Sequence, residues 1–263
     1  MIAKALGEYR RSLVGWSVGI SLFLTMYISI YASLREDPET LSRQALAKSP
    51  GALRDIMGGM EDIATASGYL QTVVYQLLVP IMFIVCAMIL GNRAIAQPEE
   101  SGTLELTITL PVDRRRLLLE RYAAMVAALL LVAAITFAVL VAVARSIDLG
   151  VAVDRILAAH TGVFLLAVFF GTVTVTVGAV TGRKAPAMAA VGAWAVAGYM
   201  VVTVGRNVEA ISWLKWLSPF HYYAEGRPVY QGLPTWDYVV LAGAAVVLAL
   251  TAVLAFDRRD VGV

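Results

Sequence analysis

Few side chains in this 263-residue sequence are of types that catalyse reactions, and their spacing does not suit catalysis. The two histidines, His160 and His221, stand 61 residues apart, and neither has a second His or a Cys at the spacing a zinc site needs. Glu225 follows His221 by four residues, which puts the pair on one face of a helix. That spacing more often makes a surface hydrogen bond than a site. No G-x-S-x-G nucleophile elbow is present. No G-x-x-x-x-G-K-[ST] phosphate loop is present either: the nearest string, Gly178 to Lys184, has the wrong spacing and runs on into alanine. Cys86 is alone within an apolar run, so the chain can form no internal disulfide. No catalytic residues, no metal site and no nucleotide site are expected in this chain.

The elements that carry these residues are set by hydropathy. Hydrophobic residues make up 59% of the chain and charged residues 15%, with a mean hydropathy of +0.75. A soluble domain would carry about 25% charged residues, so the apolar excess must face lipid. Runs long enough to cross roughly 30 Å of hydrocarbon lie near 13–34, 70–90, 122–144, 156–180, 185–204 and 238–256. These predict an all-α integral membrane protein with six transmembrane helices, a single transmembrane domain over 1–263. The runs contain no Asp, Glu, Lys or Arg. Proton- and ion-coupled carriers use ionisable groups at that depth, so any uphill transport must draw its energy from another polypeptide.

Orientation follows the distribution of Lys and Arg. With both termini on one side, that side holds twelve basic residues, among them Arg10, Arg11, Arg93, Arg114, Arg115, Arg116, Lys184, Arg258 and Arg259, against nine on the other. Twelve against nine puts the termini, the 92–121 segment and the Gly182–Ala185 turn in the cytoplasm. The basic residues form no single patch, so nucleic acid is not an expected partner, whereas membrane lipid is.

Local patterns add detail. Ile2, Leu6, Tyr9 and Leu13 share a helical face, which suits a short interfacial helix before the first span. Ser49-Pro50 reads as an N-cap with proline at the first helical position, and Leu53, Ile56, Met57 and Met60 follow at helical spacing, predicting an outer-surface helix broken at Gly58-Gly59. The stretch Thr172-Val-Thr-Val-Thr-Val alternates like a strand, but a lone strand in lipid leaves its backbone unpaired, so helix is expected. Gly171, Gly178 and Gly182 can allow close helix approach, and Gly15 and Gly19 form a weaker GxxxG. Ile211 to Leu217 is apolar but too short to cross. With Trp213, Trp216 and Tyr222 around it, it reads as a re-entrant outer-leaflet segment turned back at Ser218-Pro219. Anchoring at headgroup depth and a part in cargo release are both open readings of these aromatics.

The polar segment Asn92–Arg121 is too elaborate for a simple connection. Its string Glu99-Glu100-Ser101-Gly102-Thr103-Leu104-Glu105-Leu106, then Leu110-Pro111-Val112 and Arg114-Arg115-Arg116-Leu117-Leu118, resembles the E-x-x-G-T-L-E-L…L-P-V-x-R segment of ABC-2 type permeases, the membrane subunits of a class of ABC transporters. Arg10-Arg11-Ser12-Leu13 with Gly15-Trp16, Leu217-Ser218-Pro219-Phe220 and Phe256-Asp257-Arg258-Arg259-Asp260 are similar to actinobacterial antibiotic and multidrug exporter permeases.

The resemblance implies a cytoplasmic coupling helix between spans two and three, near 98–110, which docks on a separate ABC ATPase subunit. Pro98, Glu99, Glu100, Gly102, Thr103, Leu104, Glu105, Pro111, Arg114 and Arg115 are its candidate interface. Periodicity points the other way, because Leu104, Leu106, Ile108 and Leu110 alternate with polar residues. An isolated strand at a membrane surface has two unpaired edges, so helix is the reading adopted. Glu99 and Glu100 are then expected near the helix N-terminus, open to basic residues of the ATPase, with Pro111 ending the helix and Asp113 capping the next. The resemblance further implies two ATPase copies binding ATP and Mg, a second permease copy in a homodimer or heterodimer, and export across the cell (plasma) membrane of a hydrophobic or amphipathic, antibiotic- or drug-like compound. Export of a lipid, glycan or peptide and a non-transporting scaffold or sensor stay open as alternatives.

Overall fold

The computed structural model describes residues 2–36, 65–104, 113–205 and 209–259. Six helices are long and apolar enough to span a bilayer: α1 (Ile2–Glu36), α2 (Ala66–Ala94), α4 (Arg114–Ser146), α5 (Val153–Thr181), α6 (Lys184–Val204) and α9 (Thr235–Arg258). A short α3 (Ala96–Glu100) follows α2. A 3-10 helix (Glu209–Leu217), α7 (Pro219–Ala224) and α8 (Pro228–Gln231) lie between α6 and α9. Each predicted apolar run falls inside one of the six long helices, and the described residues contain no strand. The outer-surface helix expected over Ser49–Met60 lies outside the described residues.

Two elements depart from the sequence reading. The separate interfacial helix expected over residues 1–13 is absent, because the chain from Ile2 runs into the span as one helix of 35 residues. The sequence supplies no reason to stop: no proline interrupts it, and a lone glycine such as Gly7 costs a helix only about 1 kcal/mol. The second departure is in α2, where Leu70–Leu78 is a π-helix and the Val79 N–H reaches back five residues to the Val74 carbonyl. Pro80 accounts for it. Proline has no N–H for the carbonyl four residues earlier and its ring crowds that carbonyl, so the preceding turns widen.

α5 is the hub. It packs against α2, α4, α6 and α9, and 78% of its membrane-crossing stretch is buried in the bundle, against 28% for α1 and 22% for α9. Helices gain little hydrophobic driving force against each other in lipid, so close packing and hydrogen bonds must hold them. Both occur here. At Gly91 of α2, an added Cβ would stand 2.9 Å from the Gly171 carbonyl oxygen and 2.9 Å from Thr174 Cβ, so the two backbones meet where a side chain is missing on each. The Thr-Val alternation is helical, as the energetics require. Thr172, Thr174 and Thr176 donate to the carbonyls of Val168, Phe170 and Thr172, and Thr176 also reaches the Leu248 carbonyl of α9 at 3.1 Å.

Buried between α2, α4 and α5 lies a polar cluster that the sequence reading did not assemble. His160 Nε2 lies 3.0 Å from Thr136 Oγ1, and its Nδ1 lies 3.1 Å from the Tyr75 hydroxyl. Thr136 spends its own proton on the Val132 carbonyl at 2.8 Å, so it accepts from Nε2–H and Tyr75 donates to Nδ1. One buried imidazole therefore ties α2, α4 and α5 together. Tyr223 of α7 donates to the Tyr75 carbonyl, and Tyr238 of α9 donates to that of Ala158, extending the linkage toward the far end.

Candidate coupling site

The charged contacts gather at the end of the bundle where α2 ends and α4, α6 and the C-terminal turn of α9 meet. α4 starts at Arg114 because Asp113 caps it, with its carboxylate accepting from the Arg115 N–H at 3.0 Å. α6 starts after Gly182, which holds φ at 68° and closes α5 with a hydrogen bond to Gly178. The same glycine leaves room for Glu99, since a Cβ there would stand 2.4 Å from Glu99 Oε1.

α3 begins two residues before the expected coupling helix, and residues 105–110 of that expectation lie outside the described residues. It starts at Ala96, and in its five residues Glu99 falls in the first turn, as expected, while Glu100 is its last residue. Gly102, at φ 70°, then breaks it, and Thr103 and Leu104 resume helical geometry. The Ser101 and Thr103 hydroxyls lie 3.2 and 3.1 Å from the Pro98 carbonyl, which fixes the turn. Glu105 and Pro111 lie outside the described residues. Leu104 is fully buried, whereas Gln97, Glu100, Ser101, Gly102 and Thr103 are exposed and form the tip of the segment.

The two acids are engaged within the chain. Glu99 pairs with Arg259, just past the end of α9. Glu100 receives the backbone N–H of Lys184 at 2.7 Å on one oxygen and its Nζ at 3.2 Å on the other. The Lys184 N–H, followed by the charges of Lys184 and Arg183, holds the Glu100 carboxyl below its ordinary value. Arg114 donates to the Arg259 carbonyl at 3.0 Å, and Arg115 pairs with Asp257 at 2.7 Å. Arg121 donates to the Ala94 carbonyl at 2.8 Å, which closes the C-terminal end of α2. α3 is thus clamped between the start of α6 and the end of α9, and α4 is tied to the same point.

Of the ten predicted interface residues, Glu99, Glu100, Arg114 and Arg115 belong to this clamp, while Pro98, Gly102 and Thr103 shape the tip. Sequence reasoning missed Lys184, Asp257 and Arg259 as their partners. The positive-residue count had already put Lys184 and Arg259 beside the 92–121 segment, and that was the available signal. His221 and Glu225 do make the contact their spacing suggested, at 2.9 Å, with no further metal-ligating group beside them among the described residues.

Six helices long and apolar enough to cross a bilayer, a clamped polar turn after the second, and short aromatic helices before the last define a polytopic membrane protein. The sequence matches the family described as ABC-2 family transporter protein over residues 1–261, and the chain belongs to that family. It is therefore the multi-pass membrane component of an ABC transporter, a subunit that is not itself catalytic and that associates with an ABC ATPase. No curated protein matches the sequence.

Proposed function

We propose that this chain is the permease subunit of an ATP-driven exporter, with residues 98–121 as the point where a separate ATPase subunit acts. One observation carries the reading. The exposed tip Gln97–Thr103 is held through Glu99 and Glu100 to the ends of α9 and α6, so a push on the tip reaches two further spans directly. ATP and Mg belong to the ATPase subunits, two copies serving two permease copies, in a homodimer or with a similar permease. Both termini and the clamp are cytoplasmic at the plasma membrane, and Glu209–Leu217 is the re-entrant outer element. A hydrophobic or amphipathic cargo suits spans that lack a charged residue within their apolar runs.

Internal pairing changes what charge reversal must test. In Glu100→Lys, loss of transport by about 5-fold or more with ATPase co-purification retained is the outcome expected of a transmission element. Combining it with Lys184→Glu restores the ion pair and should recover part of the transport, since the backbone N–H at position 184 still lacks its carboxylate acceptor. Lost co-purification that the double variant does not recover would instead make Glu100 a direct ATPase contact.

A further inference from the structure

A second feature of the same end has no part in the clamp. A cleft of about 390 Å³ lies between the first turns of α1, the end of α2 and the α3 tip. Arg11 and Ser12 line one wall, Arg93 and Gln97 another, and Ser101 and Thr103 the rim. Among the described residues no Asp or Glu lines it, so Arg11 and Arg93 carry the charge of its described lining. Arg11 stands two residues before the apolar run of α1 and Arg93 three residues after that of α2, so both lie where hydrocarbon gives way to headgroups. Guanidinium presents a planar fork that matches phosphate oxygens, and a basic pocket between helix ends at this depth suits an anionic lipid headgroup.

The surface leading away from Arg11 decides between a lipid and a free anion. Val14, Val18 and Leu22 follow Arg11 by three, seven and eleven residues, which keeps all four on one helical face. These three apolar side chains are 58%, 51% and 66% exposed. From Val14 to Leu22 the helix rises roughly 12 Å, most of one leaflet's hydrocarbon. A charged fork therefore continues into an open apolar track, which fits a phosphate that carries acyl chains.

We propose that this cleft binds the phosphodiester headgroup of an anionic phospholipid, with Arg11 and Arg93 as its ligands and one acyl chain laid along Val14, Val18 and Leu22. Because Gln97, Ser101 and Thr103 form the other side of the cleft, the bound headgroup braces the α3 tip against α1. The assignment does not depend on an ATPase or on the direction of transport, since it needs only a lipid leaflet at that end.

The test uses delipidated full-length chain in detergent, with dioleoyl phosphatidylglycerol or dioleoyl phosphatidylcholine added at equal concentration and adducts counted by native mass spectrometry. The expected result is a phosphatidylglycerol preference of about 10-fold, the factor that 1.4 kcal/mol carries. It should fall to near unity in Arg11→Gln/Arg93→Gln, fall partway in each single variant and in Arg11→Lys/Arg93→Lys, and persist in Arg10→Gln, which removes an adjacent charge from outside the cleft. An equal loss in Arg10→Gln would show only net charge and overturn the site, as would an unchanged preference in the double variant. The single variants keep the test decisive if the double variant does not fold. Displacement of the lipid by millimolar inorganic phosphate would assign the arginines to a free anion. If the double variant keeps its lipid preference but loses ATPase co-purification, the arginines are contacts for acidic residues of the ATPase and the lipid assignment falls.

Discussion

At the scale of single residues, the chemistry of this protein is that of holding, and the two best-defined cases differ in medium. Thr136 is the acceptor for His160 Nε2–H in a dry environment. Thr136→Val keeps the volume and removes that hydroxyl acceptor, at a cost of up to about 1 kcal/mol, while Thr136→Ser retains it. Denaturant midpoints in detergent should fall for the valine variant and stay near wild type for serine; equal midpoints would mean the triad contributes nothing. Glu100 sits in water, where ion pairs are weak, and its effect is read best through pH. Its folded carboxyl titrates below its ordinary value of 4.5, so its contribution is present above that value and fades as pH falls through the lowered one. The melting-temperature difference between wild type and Glu100→Gln should be constant from pH 7 to near 5 and close only in more acid solution. A difference that closes above pH 5 would contradict the pairing with Lys184.

At the scale of elements, hydropathy made the six spans legible, because about 20 apolar residues in lipid have no economical alternative to a helix. The same rule settled the Thr-Val alternation in favour of α5. The failures have physical causes too. A continuous α1 was hidden because amphipathic and apolar patterns join without a break signal. The π-helix was hidden because Pro80 announces a disturbance and not its form. The clamp was hidden because Glu99 and Arg259 are 160 residues apart, and no local pattern reports such a pairing. The contact between α2 and α5 gives the sharpest prediction here. Gly91→Ala must push a Cβ against the Gly171 carbonyl, which cannot rotate away, whereas Gly192→Ala points into open space. Fluorescence size-exclusion profiles should show a much lower folded yield for the first and an unchanged one for the second. Equal yields would mean that the helices separate there at no cost.

At the scale of the whole molecule, the arrangement of burial bears on where a cargo could pass. α5 fills the bundle centre with side chains such as Phe170, and α2 closes against it with Tyr75 and Phe83, all of which expose almost nothing. The charge clamp then ties α3, α4, α6 and α9 together at one end. A pathway through the middle of one chain would have to unpack this hub, breaking close contacts and internal hydrogen bonds together. Parting two chains at a shared lipid-facing surface breaks far less, and α1, α6 and α9 all present broad apolar faces for one. The proposed two-copy assembly would then carry cargo between its protomers, and the prediction is that a single chain does not transport. The test is reconstitution with the ATPase in nanodiscs sorted by mass photometry into particles with one or two permease copies. ATP-dependent transport, or cargo-stimulated hydrolysis, should appear only with two copies; activity at one copy per disc would place the route inside the bundle and require α5 to move.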